Sequence, residues 1–324
     1  MKKKHYLIVL LLLLVSTACN NAPAKEAGSN ANPKDANSAS NSSKTEPAAD
    51  TAKSGTIVYQ SENGPVDVPA NPQRVVVLSS FAGNVMSLNV PLVGVDSWSK
   101  MNPRYDAVLK NVETVTDEDL EKILELQPDL IIGLSNIKNV DKLKQIAPTV
   151  TYTYGKVDYL TQHLEIGKLL NKEAEAKAWI DDFRKRAQEA GTKIKAKIGA
   201  DTTVSVVESF DKQLYVYGNN WGRGTEILYQ EMKLAMPAKV KEMALKPGYY
   251  ALSLEVLPQF AGDYLIVSKF PDSDNAYMET QTYKNIPAVK NNRAFVADAR
   301  EFYFNDPLTL DYQLEFFVKH FLGE

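Results

Sequence analysis

The chain has few of the side chains that most often bind metals or cross-link a fold. Of its 324 residues, one is cysteine, three are histidine and seven are arginine. A lone cysteine cannot form an internal disulfide, and no Cys or His cluster has the spacing of a metal site. We therefore expect neither a disulfide framework nor a directly bound metal, although His163 and His320 fall in predicted helices.

The sequence also lacks the motifs of several large enzyme classes. It contains no G-x-S-x-G, no H-E-x-x-H and no G-x-G-x-x-G, and no Gly-Lys-Ser/Thr follows its glycines. Carboxylate pairs are present, but nothing singles one of them out. A secreted hydrolase that uses Asp or Glu, a scaffolding lipoprotein and a binding protein without catalysis all stay open at this point.

The only long apolar run lies at the N-terminus, MKKKHYLIVLLLLLVSTAC. Lysines precede ten apolar residues at 6–15, too few to span a bilayer comfortably, and small residues follow, which predicts a signal peptide over residues 1–18. The step from Ser16-Thr17-Ala18 into Cys19 resembles a bacterial lipoprotein cleavage site, with Ser16 where Leu or Val is usual. This resemblance implies lipid on Cys19, palmitate included, and an anchor on the outer face of the cell membrane.

Cleavage before Cys19 would remove three lysines and no acid, which changes the formal charge from −3 to −6. An acidic mature chain argues against nucleic acid as a partner. Residues 20–55 are mostly Asn, Ala, Ser, Lys and Glu. They cannot bury enough apolar surface to offset the entropy of ordering, so residues 19–55 are predicted to be the lipidated cysteine and a disordered tether.

Beyond residue 56 the pattern changes to short apolar runs between helical segments. IVYQSENGPVDVP predicts a β-hairpin with Asn63-Gly64 at its turn. Buried strands are predicted at 74–80, 91–97, 129–135 and 202–209, and a helix at 117–126. Strands that alternate with helices predict an α/β fold with parallel sheets.

A short internal echo indicates two lobes of similar build. Residues 253–269 repeat features of residues 119–135 at a constant offset of 134. In this alignment Leu120-Glu121 matches Leu254-Glu255, and Asp129 matches Asp263.

A segment rich in Ala, Leu, Lys and Glu separates the two halves. Its apolar residues recur every three or four positions, so residues 158–198 are predicted to form a long helical linker with a break near Asn171. The folded part is then an N-terminal lobe at 56–157, the linker, and a C-terminal lobe at 199–324. A single rigid strut between two lobes leaves a cleft, and a cleft between domains is a favoured ligand site.

The stretch YVYGNNWGRG (215–224) concentrates aromatics, glycines and one arginine. Tyr215 and Trp221 offer rigid apolar area with a polar tip, and Arg223 offers a planar fork of donors for paired oxygens. The glycines allow unusual turns and a close approach of a ligand to the backbone. These features suit a partly apolar small molecule that is rich in oxygen. From the residues alone, packing of Trp221 in the core and capping of a helix by Arg223 stay open.

With this loop, the chain resembles the substrate-binding lipoproteins of ABC importers for iron-siderophores. Within that family it is most similar to the hydroxamate (ferrichrome-type) binding proteins of Gram-positive bacteria. The resemblance covers residues 56–324 and rests on YGNNWGRG, on EILYQ (226–230) and on NDPLTLD (305–311). It implies a class III periplasmic-binding-protein fold in which a long helix joins two Rossmann-like lobes and a cleft holds the Fe(III)-siderophore. It further implies a monomer with modest hinge closure that delivers its ligand to a permease with a cytoplasmic ATPase.

The resemblance also implies site residues. Trp221, Arg223 and Tyr154 match ligand-contacting positions of the family, whose aromatic cluster near the C-terminus has a different residue order from Phe302-Tyr303-Phe304 here. Further candidates follow early strands, where α/β proteins bind ligands: Phe81, Trp98 and Arg104. For all of these except the loop residues, packing in the core or on the surface is an equal alternative.

Glu121 and Glu255 stand at matching places in the two lobes, and in the family such glutamates pair with arginines of the permease. Two matched charges would dock the protein in register. The ligand class is less constrained. A ferric catecholate is anionic and favours a cluster of cations, which seven arginines do not suggest, so a neutral ferric hydroxamate is preferred. Catecholate, heme and cobalamin-type ligands stay as alternatives.

Overall fold

The structure, a computed structural model, describes residues 55–323. The predicted signal peptide, Cys19 and residues 20–54 of the predicted tether lie outside this range. Residues 55–323 form one antiparallel hairpin and two five-stranded sheets, with helices packed around them.

The strands, numbered along the chain, are β1 (Thr56–Ser61), β2 (Gly64–Pro69), β3 (Val75–Val77), β4 (Leu92–Val95), β5 (Glu113–Thr114), β6 (Leu130–Leu134), β7 (Thr149–Tyr152), β8 (Val204–Phe210), β9 (Gln213–Tyr217), β10 (Tyr249–Leu252), β11 (Tyr264–Lys269) and β12 (Ala294–Asp298). The α-helices are α1 (Ala82–Ser87), α2 (Asp106–Leu109), α3 (Leu120–Glu125), α4 (Val140–Ile146), α5 (Tyr159–Leu169), α6 (Glu173–Ile198), α7 (Ala238–Ala244), α8 (Leu257–Phe260), α9 (Gln281–Lys284), α10 (Pro287–Lys290), α11 (Ala299–Phe302) and α12 (Pro307–Leu322). Short 3₁₀ turns lie at Ser99–Met101, Pro103–Tyr105 and Ala276–Glu279, and a π-helix spans Glu226–Glu231.

The two sheets have the same strand order. The N-terminal sheet runs β5-β4-β3-β6-β7, and every neighbouring pair in it is parallel. The C-terminal sheet runs β10-β9-β8-β11-β12, in which β9 is antiparallel to both neighbours and the other pairs are parallel. In both, the first strand lies between the second and the fourth, which is a doubly wound order. The predicted pair of Rossmann-like α/β lobes is confirmed.

The sequence echo marks equivalent strands, because β6 and β11 are each the fourth strand of their sheet. Asp129 stands just before β6, and its carboxylate accepts hydrogen bonds from the backbone N–H of Gln73 at 2.6 Å and of Arg74 at 3.0 Å. Asp263 stands before β11 and accepts from the N–H of Thr203 at 2.8 Å. Each aspartate thus ties its strand to the residues that enter the first strand of the same sheet.

The predicted hairpin is present, but its turn lies one residue earlier than predicted. Ser61 pairs with Gly64 across β1 and β2, so the two turn residues are Glu62 and Asn63 and not Asn63-Gly64. The Ser61 hydroxyl stabilises this register, because it donates to Gly64 O at 2.6 Å and accepts from Asn63 N at 3.1 Å.

The linker is helical and has the predicted break. Helix α5 ends at Leu169 and α6 begins at Glu173, with Asn171 between them at a φ of 56°. Asparagine tolerates this left-handed conformation better than most residues. Helix α6 then passes from one core to the other: Ala176 packs in the N-terminal lobe, while apolar residues from Ile180 onward pack in the C-terminal lobe.

The linker joins the two lobes covalently, and the C-terminal helix adds non-covalent contacts between them. Asp306 caps α12 by accepting from the N–H groups of Leu308 and Thr309, and its carboxylate also accepts from the buried Tyr105 hydroxyl of the N-terminal lobe. Phe304 packs in the N-terminal core, although it belongs to the segment predicted as C-terminal lobe. Sequence periodicity finds helices but does not show where a helix end is anchored, which is why α12 was not predicted to bridge the lobes.

In the part of the chain that the structure describes, no helix combines the length and the apolar character needed to cross a membrane.

Candidate ligand-binding site

Besides a hollow lined by residues 100–106 and 270–273, a cavity with a volume of about 510 Å³ lies between the two lobes. Other surface hollows have volumes from about 460 to about 550 Å³, so volume does not single this one out. Its wall does, because aromatic rings from opposite lobes meet at it. The lining residues are Phe81, Tyr154, Gly155, Lys156, Val157, Asp158, Tyr159, Gln162, Asn219, Asn220, Trp221, Glu226, Gln230 and Asn305.

The aromatic pair at this cavity is Tyr154 and Trp221, with ring centroids 5.8 Å apart. Tyr154 follows β7 of the N-terminal lobe and is 48% exposed. Trp221 belongs to the glycine-rich loop of the C-terminal lobe, and its ring packs edge-on against Tyr249 at 5.0 Å. Behind it, Gly248 has no room for a side chain, since an added Cβ would lie 1.8 Å from the Trp221 indole nitrogen. Trp221 of the predicted loop and Tyr154, a position that the family resemblance indicated, are therefore brought together from different lobes.

The glycines of the loop serve packing within the chain. A Cβ on Gly222 would lie 2.3 Å from the Tyr303 carbonyl oxygen, and a Cβ on Gly224 would lie 2.5 Å from the Phe317 ring. Both glycines also have positive φ angles. We expected these glycines to admit a ligand close to the backbone. The neighbours that require them to lack a side chain are instead residues of the C-terminal segment.

Arg223 is buried in an ion pair. It is 6% exposed, and its Nε and Nη2 donate to the Glu208 carboxylate at 3.2 and 2.7 Å. Its Nη1 donates to the Trp221 carbonyl at 2.9 Å, and the guanidinium lies 4.2 Å from the Tyr303 ring centroid. Burial alone would lower the pKa of Arg223, but the Glu208 carboxylate outweighs burial and the net direction is upward. The donor fork that the sequence assigned to a ligand is thus occupied by Glu208, and Arg223 does not line the cavity.

Glu208 is fully buried, and both of its carboxylate oxygens accept hydrogen bonds. Besides Arg223, its oxygens accept from the Tyr217 hydroxyl at 3.1 Å and from the Ser268 hydroxyl at 2.5 Å. A buried ion pair is stable only when its remaining polar valences are satisfied, and this one meets that condition. The network therefore fixes the loop that carries Trp221.

A second buried carboxyl group, Glu226, does line the cavity. It is 1% exposed and accepts from Gly222 N at 2.9 Å, from Asn305 Nδ2 at 3.2 Å and from Thr225 Oγ1 at 3.1 Å. Burial raises its pKa despite these bonds. Glu226 starts the π-helix that follows the loop, and π-helical turns occur often at functional sites.

Most of the remaining polar wall is made of neutral carboxamides, which offer both donors and acceptors. They are Gln162, Asn219, Asn220, Gln230 and Asn305. Sequence reasoning gave no role to these residues or to Glu226. For three of them a signal was available: Glu226 and Gln230 belong to the motif EILYQ, and Asn305 belongs to NDPLTLD.

Other predicted residues lie away from the cavity wall. Tyr303 covers Arg223 and stacks on Trp98 with centroids 5.1 Å apart, and neither ring lines the cavity. Tyr215 packs against Tyr249 at 5.8 Å. Arg104 lies 3.9 Å over the Tyr312 ring and pairs with Glu301 at 3.3 Å, so it joins the lobes at another place.

Phe302 is a core residue, which corrects its prediction as a ligand contact. It is 0% exposed and packs edge-on against Phe316 and Phe317 of α12. Phe81, the neighbouring candidate from the N-terminal lobe, does line the cavity. Phe302 and Tyr303 are adjacent in the sequence but point in different directions at the end of α11, and composition does not show which side chain faces a cleft.

Two charged residues of the N-terminal side also line the cavity, and both are engaged. Lys156 pairs with Glu62 of the hairpin turn at 3.3 Å. Asp158 caps α5, where it accepts from the N–H groups of Leu160 and Thr161, each at 3.0 Å.

Glu121 and Glu255 occupy matching positions in the two lobes. Glu121 lies in the first turn of α3, and Glu255 lies two residues before α8. Each stands between the third and fourth strands of its sheet, is exposed, and forms no salt bridge within residues 55–323. The pKa of Glu255 is lowered by its bond to Ser253.

Within residues 55–323 no group of three or more His, Cys, Asp and Glu side chains is arranged to hold a metal ion. His163 is buried against Trp179, with ring centroids 5.3 Å apart. His320 packs on Phe316 at 3.9 Å. His163 thus packs between α5 and α6, while His320 packs on the preceding turn of its own helix, α12.

Residues 81–301 match the periplasmic binding protein family. The iron(3+)-hydroxamate-binding protein FhuD of Bacillus subtilis is 37% identical over 271 residues, which is 82% of this chain and 86% of that protein. The iron(3+)-hydroxamate-binding protein YxeB of the same organism is 36% identical, over 79% of this chain and 82% of that protein.

Solved structures of similar proteins have the same fold. FhuD from S. pseudintermedius superposes with a TM-score of 0.75 at 36% identity, over 84% of this chain and 99% of that one. FhuD2 from Staphylococcus aureus with bound ferrioxamine B gives a TM-score of 0.74 at 34% identity, over 78% of this chain and 99% of that one.

Proposed function

This chain belongs to the periplasmic binding protein family, and from that premise we propose that it captures a ferric hydroxamate siderophore outside the cell and delivers it to an ABC import permease. The observation that carries the proposal is the cavity where Tyr154 and Trp221 meet from opposite lobes. The names of the two Bacillus relatives and the ferrioxamine B complex of FhuD2 support the ligand class.

The wall composition suits such a ligand. A ferric hydroxamate has apolar linkers around a centre ringed by oxygen acceptors. The aromatic faces of Tyr154 and Trp221 would cover the linkers, and the carboxamides would donate to the oxygens. Iron would arrive inside its chelator as cargo. The mechanism would be binding and transfer without covalent chemistry, and the family is one of solute-binding proteins and not an enzyme class.

Charge favours a hydroxamate over an anionic catecholate. The cations nearest the cavity, Arg223 and Lys156, are paired with Glu208 and Glu62. Glu226 and Asp158 add carboxyl groups to the wall. An anionic complex would find these carboxyl groups and no unpaired cation among the described lining residues, which costs affinity. Heme and cobalamin-type ligands are tested in the same experiment.

Delivery would use Glu121 and Glu255 as docking charges for the permease. Their exposure and matching positions suit this role. A lipid on Cys19 would hold the protein, as a monomer, on the extracytoplasmic face of the membrane, with residues 20–55 as the tether.

The test is a tryptophan fluorescence titration of the mature chain, residues 19–324, with ferrichrome, ferrioxamine B, a ferric catecholate, heme and cobalamin. Saturable quenching by a hydroxamate is expected, because Trp221 lies on the cavity. Trp221→Phe is the matched control, since Trp98 and Trp179 keep their own emission and the ligand-dependent part should fall. Saturation only by a catecholate or heme would change the ligand class, and no saturation by any ligand would end the receptor proposal.

A further inference from the structure

The turn that carries Tyr154 is held by one carboxylate from the N-terminal hairpin. Both oxygens of Glu62 lie 3.3 Å from the backbone N–H of Thr153 and accept from it. Glu62 Oε2 also lies 3.3 Å from Lys156 Nζ. A single side chain therefore contacts residues on either side of Tyr154.

Glu62 is itself held in place. It lies in the two-residue turn of the β1–β2 hairpin, and its side chain is 18% exposed. The next residue, Asn63, donates to Thr151 Oγ1 of β7 at 3.1 Å, which fastens the turn to the strand that leads to Tyr154. Burial alone would raise the pKa of Glu62, but its bonds to Thr153 and Lys156 lower it overall, so Glu62 is ionised at neutral pH.

The residue whose charge Glu62 neutralises lines the candidate cavity. Lys156 is the one basic residue among the described residues that line it, and the other charged lining residues are Asp158 and Glu226. Arg223 lies behind the loop and is paired with Glu208. With Lys156 paired, the described residues of the wall present carboxyl groups, carboxamides and aromatic rings, but no unpaired cation.

We infer that Glu62 is a specificity-determining residue that keeps Lys156 paired and so lowers the affinity of the cavity for anionic ferric complexes. This inference rests on the proposed function, because it concerns which siderophores the same cavity accepts. It assigns to the hairpin a role in ligand choice beyond its packing in the core.

The size of the effect follows from exposure. The Lys156 side chain is 53% exposed, so an unpaired ammonium there acts through a dielectric closer to that of water than to that of the core. Removing one neutralising charge should then change the affinity for an anionic ligand by roughly three- to tenfold. The change should shrink as salt is raised, because the interaction is screened.

The experiment titrates the mature chain and its Glu62→Gln variant with three ligands of different charge: neutral ferrichrome, cationic ferrioxamine B and an anionic ferric tris-catecholate. Glutamine keeps an oxygen that accepts from Thr153 N and removes the charge that pairs with Lys156. The expected result is ordered by ligand charge. The Kd of the catecholate falls roughly three- to tenfold, that of ferrichrome changes less than about twofold, and that of ferrioxamine B rises.

Lys156→Gln is the matched control. In the Glu62→Gln/Lys156→Gln double variant the gain for the catecholate should disappear, because no ammonium is left to attract it. A gain that persists in the double variant, or a Glu62→Gln variant whose three affinities do not separate by charge, overturns this inference while the proposed function stands. Failure of the unmodified chain to bind any of the three ligands overturns the proposed function, and this inference with it.

Discussion

The two walls of the cavity are held in different ways. On the C-terminal side the Trp221 loop rests on Arg223 and Glu208, which are 6% and 0% exposed and are bonded to further buried groups. On the N-terminal side the Tyr154 turn is held by Glu62, whose partner Lys156 has a side chain that is 53% exposed. One wall depends on a buried polar network and the other on contacts at the surface.

This difference in support implies a difference in rigidity between the two walls of the cavity. A fully satisfied buried network rigidifies what it holds, while an exposed ion pair contributes little energy and yields easily. We therefore expect the C-terminal wall to be the more rigid of the two and the N-terminal turn to adapt more readily. Such a division suits a receptor whose ligands share an iron centre and differ in their outer parts.

The largest effect should come from breaking the buried network. Glu208→Ala leaves the Arg223 guanidinium buried without its carboxylate, which should reduce the free energy of unfolding by about 3–5 kcal/mol, measured by urea titration. Glu208→Gln retains size and acceptors and should lose less. A double variant, Arg223→Met with Glu208→Leu, should recover part of the loss because no unpaired charge is buried. A cost below about 1 kcal/mol for Glu208→Ala would contradict the comparison.

Lowering the pH should reduce the free energy of unfolding through His163, which lies on α5, the helix that follows the Tyr154 turn. Burial of His163 on α5 lowers its pKa from 6.5 to about 4, so its imidazole is neutral in the folded state. Below pH 6.5 the His163 imidazole binds a proton in the unfolded chain, whereas in the folded chain it stays neutral down to about pH 4. Stability is thus fully present above pH 6.5 and falls as the pH drops toward 4, by about 3 kcal/mol in total.

His163→Gln is the control for this pH dependence. Burial raises the pKa of Glu226 and Asp306, and these groups act in the opposite direction, so only the difference between the two proteins isolates the histidine. Urea titrations of both proteins from pH 7.5 to 4.5 should show a steeper loss for the natural chain. Parallel curves would show that His163 does not titrate as its burial requires.

The two aromatic faces should differ in their importance for binding. Trp221→Ala removes a large ring from the fixed wall and should raise the Kd for a bound hydroxamate about 30-fold, which is about 2 kcal/mol. Tyr154→Ala removes a ring from the adaptable turn and should raise it less, by about tenfold or under. Calorimetry with ferrioxamine B measures both without relying on fluorescence. Equal losses, or a larger loss for Tyr154, would mean that the walls do not differ in function.

The sequence predicted the fold and part of the site for identifiable reasons. Apolar runs and helical periodicity revealed the alternating elements, and the echo around Asp129 and Asp263 revealed two similar lobes. Trp221 was found because it lies in a stretch rich in aromatics and glycines, and Tyr154 was indicated by the resemblance to the siderophore-binding family. The hairpin turn was predicted one residue too late. Asn-Gly is the more common pair of turn residues in hairpins, and nothing in the sequence indicated Glu62-Asn63 instead.

What was missed depends on tertiary contacts. Glu208 lies in the apolar strand VSVVESF, and an acidic residue there indicates a buried partner without identifying it. The fork of Arg223 suits a ligand and a carboxylate equally well, and only the fold brings Glu208 within 2.7 Å. Phe302 and Tyr303 are adjacent in the sequence but pack in different places: Phe302 packs against α12, and Tyr303 covers Arg223. Composition treats them alike.

The smallest expected effect on stability is at the other wall. Lys156→Gln removes one partner of a largely exposed pair, and its cost should be below about 1 kcal/mol, measured by the same urea titration used for Glu208. Glu62→Gln should cost as little, while Glu62→Ala also loses the bonds to Thr153 N and should cost more. A loss for Lys156→Gln comparable to that of Glu208→Ala would show that both walls are held with equal strength. A small loss keeps the folded cavity intact, so any change in ligand preference of these variants then reports charge and not unfolding.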